Sequence, residues 1–287
     1  MITRRCYQRT FRLRPSDDTN RIFLYSLAWA AAKTGVEIHA LCVMSNHHHL
    51  VLTDGRGALP DFLREFHRTV AKALNAAQGE WENLWSAEPY HSLELGAQED
   101  VLDKIAYVAA NPTEAGLVET PEAWPGVLLL PQAQVRTLEI TRPTRYFTDA
   151  RVFPETVTLR VTPVATKPSQ SSAEVFQRVA GAIQQAVARA RNAILAGGRT
   201  FLGRHGVLSH SFRRRAESFE SRRGPIPKVR ARNRMLLKAM LERYSVFHTA
   251  YKGALAAWRG GDRRVVFPFG TWALRVFHSA CVATASG

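Results

Sequence analysis

The chain has 287 residues, of which 46% are hydrophobic and 22% are charged, a composition typical of a soluble globular protein. The formal net charge is +15 and is unevenly distributed: residues 1–130 contain 12 Lys and Arg against 16 Asp and Glu, whereas residues 131–287 contain 27 against 8. This asymmetry predicts a polyanionic partner, and it favours nucleic acid over an anionic membrane surface. An excess of charge that serves only solubility is the alternative.

The cysteines and the N-terminus indicate the compartment. Cys6, Cys42 and Cys281 are far apart and odd in number, which predicts free thiols in a reducing environment and excludes a disulfide framework or a C-x-x-C metal site. The arginine-rich N-terminus contains no apolar segment of a signal peptide. No apolar run is long enough to cross a bilayer. We therefore expect a cytoplasmic protein without a membrane partner.

The first part of the chain alternates strand and helix patterns. In chain order, the pattern predicts a strand over 3–14 and a helix from about 18 to Thr34 ended by Gly35. Strands over 36–44 and 47–53, joined by a turn at Ser45-Asn46, are followed by a helix from Leu59 to about Ala77 and a strand over 90–95. The next helix begins near 98–100 and stops near Asn111, because Pro112 follows. This order is typical of an α+β fold, with helices on a ferredoxin-like antiparallel sheet. It predicts one domain over residues 1–130.

The second part of the chain is predicted to be a basic, mainly helical region over residues 172–287, joined by a connecting segment with short strands over 131–171. Helices are expected over 174–196 and from Lys228 towards Trp258, each followed by two glycines. Residues 213–243 carry 11 Lys and Arg against 3 Glu. Candidate DNA phosphate contacts are Arg213, Arg214, Arg215, Arg222, Arg223, Lys228, Arg230, Arg232 and Arg234, and a solvated helix face is the alternative reading of these clusters.

Three consecutive histidines begin the strand over 47–53. Side chains alternate along a strand, so His47 and His49 point to one face and His48 to the other. Two imidazoles about 7 Å apart on one face can bind one divalent cation. Taken alone, such a pair is more often half-buried and satisfied by ordinary hydrogen bonds, so a metal role needs a further residue.

The helix after residue 98 supplies candidates for that role. Tyr107 and Asn111 are four residues apart and therefore lie on one face of the helix. If they meet His47 and His49, the site has two nitrogen ligands, one oxygen ligand and an adjacent phenol.

These two segments resemble a known family. Asn46-His47-His48-His49-Leu50 resembles the Asn-His-x-His-Leu form of the HUH motif (His, hydrophobic, His), and the segment from Tyr107 to Val118 resembles the tyrosine helix of the single-tyrosine HUH transposases. The two motifs are specific in this order and separation, and the resemblance is strongest to the REP-associated tyrosine transposases, over residues 3 to about 126. It implies the HUH endonuclease fold for the first domain.

The resemblance also implies the chemistry. His47 and His49 would hold Mg²⁺ or Mn²⁺ with Asn111 as a third ligand, and Tyr107 would attack a phosphate of single-stranded DNA to give a 5′-phosphotyrosine and a free 3′-hydroxyl. Strand transfer would need no ATP, because a phenol leaves more readily than a sugar alkoxide and the covalent step conserves bond energy. The implied protein is a DNA transposase that acts on hairpin-forming ends as a monomer or homodimer.

The sequence departs from the family at His48, where a bulky apolar residue is usual. Because His48 points away from the pair, the departure concerns the packing behind the strand. Two other functions remain open at this point: a domesticated DNA-binding protein that no longer cleaves, and a zinc hydrolase of another phosphoester, which would leave the Tyr107–Asn111 spacing unexplained.

Overall fold

The computed structural model describes residues 1–217 and 227–284, and these form an α+β protein with a mixed sheet and seven α-helices. The strands are β1 (Ile2–Arg5), β2 (Glu37–Met44), β3 (His47–Thr53), β4 (His91–Ser92), β5 (Glu94–Leu95), β6 (Leu128–Leu129), β7 (Arg136–Thr141), β8 (Thr156–Val161) and β9 (Val229–Arg230). The helices are α1 (Asp17–Thr34), α2 (Leu59–Gln78), α3 (Gln98–Glu114), α4 (Ser172–Ala196), α5 (Gly203–Ser209), α6 (Arg234–Arg259) and α7 (Trp272–His278).

The main sheet has the order β4-β1-β3-β2-β8-β7, and β6 also pairs with β2. Its pairs are antiparallel except for β2 and β8, which run parallel at Ile38 and Val161. The expected purely antiparallel sheet is therefore wrong. The segment over 131–171, which was predicted to connect two domains, supplies β7 and β8. These two strands form an antiparallel pair that extends the sheet.

Helices cover both faces of the sheet. Leu41 and Val43 of β2 belong to a core shared with α1 and α2. Ala40 and Cys42, which alternate with them along the strand, belong to a second core shared with α3 and α4. A strand buried on both faces needs apolar residues at successive positions, which explains the uninterrupted apolar run of β2.

The sequence predicts the central hairpin and the two helices that flank it well. The hairpin of β2 and β3 and the helices α1 and α2 are confirmed to within about two residues. Helix α1 begins after Ser16, whose hydroxyl accepts a hydrogen bond from the Thr19 amide, and it ends at Gly35 in the left-handed conformation with φ 74°.

Three predicted boundaries in the first 130 residues are wrong. The first strand covers only Ile2–Arg5, because a 3₁₀ turn follows in which Gln8 and Arg9 have positive φ values of 49° and 58°. The predicted strand over 90–95 is divided into β4 and β5. Helix α3 continues through Pro112 to Glu114: a proline in the last turn removes one backbone donor only, and the amide of Ala115 still bonds to the Asn111 carbonyl at 3.0 Å.

The chain divides into two compact units, residues 1–228 and residues 229–287. In the second unit, Asn233 caps α6 by accepting hydrogen bonds from the amides of Met235 and Leu236. The helix expected from Lys228 therefore begins at Arg234. A small apolar cluster of Ala254, Phe267 and Ala280 forms its core. Among the described helices of both units, none combines the length and apolar character needed to cross a membrane.

Candidate active site

The turn between β2 and β3 places the three histidines at the start of a central strand. Ser45 and Asn46 form the turn, and His47, His48 and His49 pair with β1 on one side and β2 on the other. His47 and His49 line one cleft. His48 lies on the opposite face of the sheet, as the alternation of the strand predicts.

The rings of His47 and His49 converge. Their centroids are 4.8 Å apart at an interplanar angle of 82°, and their Nε2 atoms are 3.1 Å apart. The Nδ1 atoms face other partners, the Asn46 Oδ1 atom at 2.6 Å for His47 and the Thr3 Oγ1 atom at 2.8 Å for His49.

The surroundings of this pair suit a metal ligand. His49 is 5% exposed, and burial, together with the adjacent His47, lowers the pKa of its imidazole well below the ordinary value. Two neutral imidazoles in this contact either share an Nε2–H···Nε2 hydrogen bond, with one ring in each tautomer, or present both Nε2 lone pairs to one cation. Two nitrogen ligands at right angles on one metal, each about 2.1 Å from it, are about 3.0 Å apart. The separation of 3.1 Å therefore fits a shared divalent cation.

Helix α3 brings the predicted nucleophile to the same place. The ring of Tyr107 contacts the ring of His49 edge-on, with centroids 5.2 Å apart. Asn111 lies one turn further along and is 7% exposed. All four predicted site residues, His47, His49, Tyr107 and Asn111, line one cleft of about 700 Å³.

The cleft also contains charged residues that the sequence analysis did not single out. Its lysine and arginine side chains, within the described part of the chain, are Arg5, Arg9 and Lys104. The Nζ atom of Lys104 lies 5.1 Å from the centre of the Tyr107 ring. Lys104 is three residues before Tyr107 on the same helix, so helical spacing could have identified it.

No denser metal site is present in the part of the chain that the structure describes. Within residues 1–217 and 227–284, no group of three or more His, Cys, Asp and Glu side chains is arranged to hold an ion. If His47 and His49 hold a cation, Asn111 of the same cleft offers an amide oxygen as a further ligand, and water or a bound ligand can supply the remaining oxygens. Such a mixed set suits Mn²⁺ or Mg²⁺ more than a closed structural zinc site.

His48 belongs to a buried aromatic cluster on the opposite face. Its Nε2 atom lies 3.0 Å from the Nε2 atom of His67, and its ring packs against Phe23, Phe66 and Trp85. Burial, with His67 as the next cause, lowers the pKa of His48 well below the ordinary value. The residue that departs from the motif thus fills the space behind the strand.

The basic residues predicted to contact DNA have different surroundings. Arg213 forms an ion pair with Glu80 at 3.0 Å, and Arg214 forms one with Glu217 at 2.9 Å. Exposed pairs of this kind are weak, so a phosphate can replace the carboxylate. Arg215 pairs through its backbone with Thr10, Lys228, Arg230, Arg232 and Arg234 are exposed, and Arg222 and Arg223 lie outside the described residues.

Comparisons of the chain with family models, with curated proteins and with solved structures find no match.

Proposed function

We propose that the protein is a metal-dependent DNA transposase that nicks single-stranded DNA and transfers the strand through a covalent tyrosine intermediate. The proposal includes the HUH endonuclease fold for the first part of the chain and membership among the single-tyrosine HUH transposases, nearest to the REP-associated type. One observation carries it: the facing Nε2 atoms of His47 and His49 lie in one cleft with Tyr107, whose ring is 5.2 Å from that of His49.

In the proposed reaction His47, His49 and Asn111 would hold Mg²⁺ or Mn²⁺, and the ion would supply Lewis-acid polarisation of the scissile phosphate. The Tyr107 oxygen forms a bond to phosphorus, and the bond from phosphorus to the 3′-oxygen of the preceding nucleotide breaks. The proton lost by the phenol is balanced by the one gained at the 3′-oxygen, which leaves as a hydroxyl group. A second DNA 3′-hydroxyl reverses these bond changes and completes strand transfer.

The walls of the cleft support single-stranded DNA as the substrate. Arg5, Arg9 and Lys104 suit a phosphate backbone. Phe11 and His210, whose ring centroids are 5.4 Å apart, line the same cleft and offer aromatic surface to an unpaired base. Hairpin DNA ends are the proposed partner, and the basic residues after position 212 are proposed as additional phosphate contacts.

The experiment is a covalent-adduct assay with Tyr107→Phe. The purified full chain is incubated with circular single-stranded DNA and Mn²⁺, and adducts are detected as protein that remains attached to DNA in detergent. We expect Tyr107→Phe to lower the adduct by at least about 1000-fold, because the nucleophilic oxygen is removed, and to leave DNA affinity within about threefold. Tyr7→Phe is the matched control, since Tyr7 is exposed and outside the cleft.

The outcomes separate the candidate functions. An adduct that persists in Tyr107→Phe contradicts the assigned nucleophile, and cleavage that persists in EDTA contradicts the metal. Tight binding to DNA without any adduct in the unsubstituted protein identifies a DNA-binding protein that does not cleave. Hydrolysis of a phosphoester with Zn²⁺, unaffected by Tyr107→Phe, identifies a zinc hydrolase.

A further inference from the structure

The contacts of the His47 and His49 Nδ1 atoms determine which nitrogens of the two rings carry hydrogen. A neutral imidazole has one N–H and one lone pair, and only the lone pair can bind a metal. For both Nε2 atoms to act as ligands, both Nδ1 atoms must be protonated. Each Nδ1 atom must then donate to an acceptor.

The contact of His47 meets this requirement through Asn46. The Nδ2 group of Asn46 donates to the backbone carbonyl of Arg9 at 3.4 Å. A carbonyl can only accept, so the amide nitrogen points to Arg9 and the amide oxygen points to His47. That oxygen is 2.6 Å from His47 Nδ1, and it can only accept the N–H of His47. Nε2 of His47 is left with its lone pair.

The Arg9 carbonyl reaches Asn46 from an unusual piece of backbone. Gln8 and Arg9 both have positive φ values, 49° and 58°, a conformation that residues other than glycine rarely adopt. The same carbonyl accepts a hydrogen bond from the amide of Ala216 at 3.3 Å. The strained turn at Gln8 and Arg9 thus orients the side-chain amide of Asn46, and that amide orients the ring of His47. Strained backbone residues of this kind are found preferentially at functional sites.

The contact of His49 comes from the neighbouring strand. Thr3 is directly opposite His49 in the register of β1 and β3, and its Oγ1 atom is 2.8 Å from His49 Nδ1. A hydroxyl group can accept the N–H of the Nδ1–H tautomer of His49 and still donate elsewhere. In that arrangement Nε2 of His49 also presents its lone pair, 3.1 Å from that of His47.

We propose that Thr3 and Asn46 are positioning residues of the metal site, which hold His47 and His49 in the Nδ1–H tautomer so that both Nε2 atoms bind one divalent cation. The inference rests on the proposed function, because it assigns these residues to the metal of that reaction. Partners of this kind fix ring orientation and tautomer, and their loss lowers metal affinity by about 10-fold to 100-fold.

The test is Mn²⁺ binding to the full chain without DNA, measured as the loss of the free-ion signal in electron paramagnetic resonance. We expect Thr3→Val and Asn46→Ala each to weaken Mn²⁺ binding by about 10-fold to 100-fold. Thr3→Ser and Asn46→Asp retain an acceptor at each position, so we expect both to stay within about threefold of the unsubstituted protein or to bind more tightly. Thr137→Val and Asn192→Ala are matched controls on exposed surface of a strand and a helix, and we expect no change.

A second measurement reads the tautomers directly. Imidazole ¹⁵N–¹H correlation spectra of the chain in the presence of diamagnetic Mg²⁺ distinguish Nδ1–H from Nε2–H histidine. We expect Thr3→Val to reduce the Nδ1–H form of His49 and Asn46→Ala to reduce that of His47. A role of Thr3 and Asn46 in stability alone would lower the melting temperature and leave the tautomers and the Mn²⁺ affinity unchanged.

The outcomes distinguish the two proposals. If the unsubstituted protein binds Mn²⁺ and Thr3→Val and Asn46→Ala bind it equally well, the positioning role is wrong while the metal site stands. If the unsubstituted protein binds no Mn²⁺, or if His47→Ala/His49→Ala binds it as well as the unsubstituted protein, the metal step of the proposed function is wrong and the positioning role falls with it.

Discussion

At the scale of single residues, the histidines of β3 are divided between two environments. His47 and His49 face a cleft that contains Tyr107, whereas His48 faces His67 and aromatic rings in the core. The division follows from the alternation of side chains along a strand. The same residue type thus supplies candidate metal ligands on one face and buried packing on the other.

Lys104 is the residue for which we predict a catalytic contribution beyond the sequence motif. Its Nζ atom is 5.1 Å from the centre of the Tyr107 ring, so its positive charge lies beside the phenol that is proposed to attack a phosphate. We expect Lys104→Gln to slow adduct formation by about 10-fold to 100-fold, because a fixed charge near the reacting atoms is lost. The measurement is the single-turnover rate of adduct formation at saturating protein.

Lys72→Gln is the control for the lost charge, since Lys72 is exposed on α2 and outside the cleft. Lys104→Arg should retain most of the rate. Equal losses in Lys104→Gln and Lys72→Gln would show that only the overall charge matters and would contradict the prediction.

At the scale of elements, α3 is held within its own chain from two sides. Leu102, Ile105 and Val108 pack on the sheet, and Ala106 and Ala110 pack against Ala186 of α4. Displacing α3 towards a second subunit would expose both surfaces to water. At about 25 cal/mol per Å² of apolar surface, that exposure is strongly unfavourable.

This packing predicts that one chain supplies the whole site. We expect a mixture of Tyr107→Phe and His47→Ala/His49→Ala proteins to form no more adduct than the two proteins do separately. A mixture of the unsubstituted protein and Tyr107→Phe is the control, and its adduct should follow the amount of unsubstituted protein. Adduct restored in the first mixture would mean that Tyr107 acts on the histidines of a partner subunit.

At the scale of the whole molecule, buried histidines predict the response of stability to acid. Burial lowers the pKa of His39, and it lowers those of His48 and His67 well below the ordinary value. The folded state therefore keeps these rings neutral, while in the unfolded chain they bind protons below about pH 6.5. The stability that these neutral rings contribute is present in full above about pH 6.5. It is lost as the pH decreases from about 6.5 towards the lower pKa values of the folded state.

We expect the free energy of unfolding, measured with urea between pH 8 and pH 5, to fall below pH 6.5. The limiting slope is about 1.4 kcal/mol per pH unit for each histidine that stays neutral in the folded state. His48→Leu should reduce this slope by about 1.4 kcal/mol per pH unit, which corresponds to one proton. The variant should fold, because the core of Phe23 and Phe66 around position 48 accepts an apolar side chain. A flat profile between pH 7 and pH 5, or the same slope in His48→Leu, would contradict the assignment.

The sequence by itself determined the parts of this protein that depend on local periodicity. The hairpin over 37–44 and 47–53, the common face of His47 and His49, and the spacing of Tyr107 and Asn111 follow from repeats of two residues in strands and 3.6 residues in helices. Capping residues such as Gly35 also fixed helix ends, because the left-handed conformation at the end of a helix favours glycine.

Only the tertiary structure decided which distant residues meet. Thr3 lies opposite His49 because of the register between β1 and β3, and β8 runs parallel to β2 because of the path of a chain segment more than 100 residues later. The register between strands that are distant in sequence and the packing of helices depend on interactions between residues far apart in the chain, and the local pattern does not specify which segments pair. The candidate ligands and nucleophile were therefore readable from the sequence, whereas the residues that orient the two histidines were not.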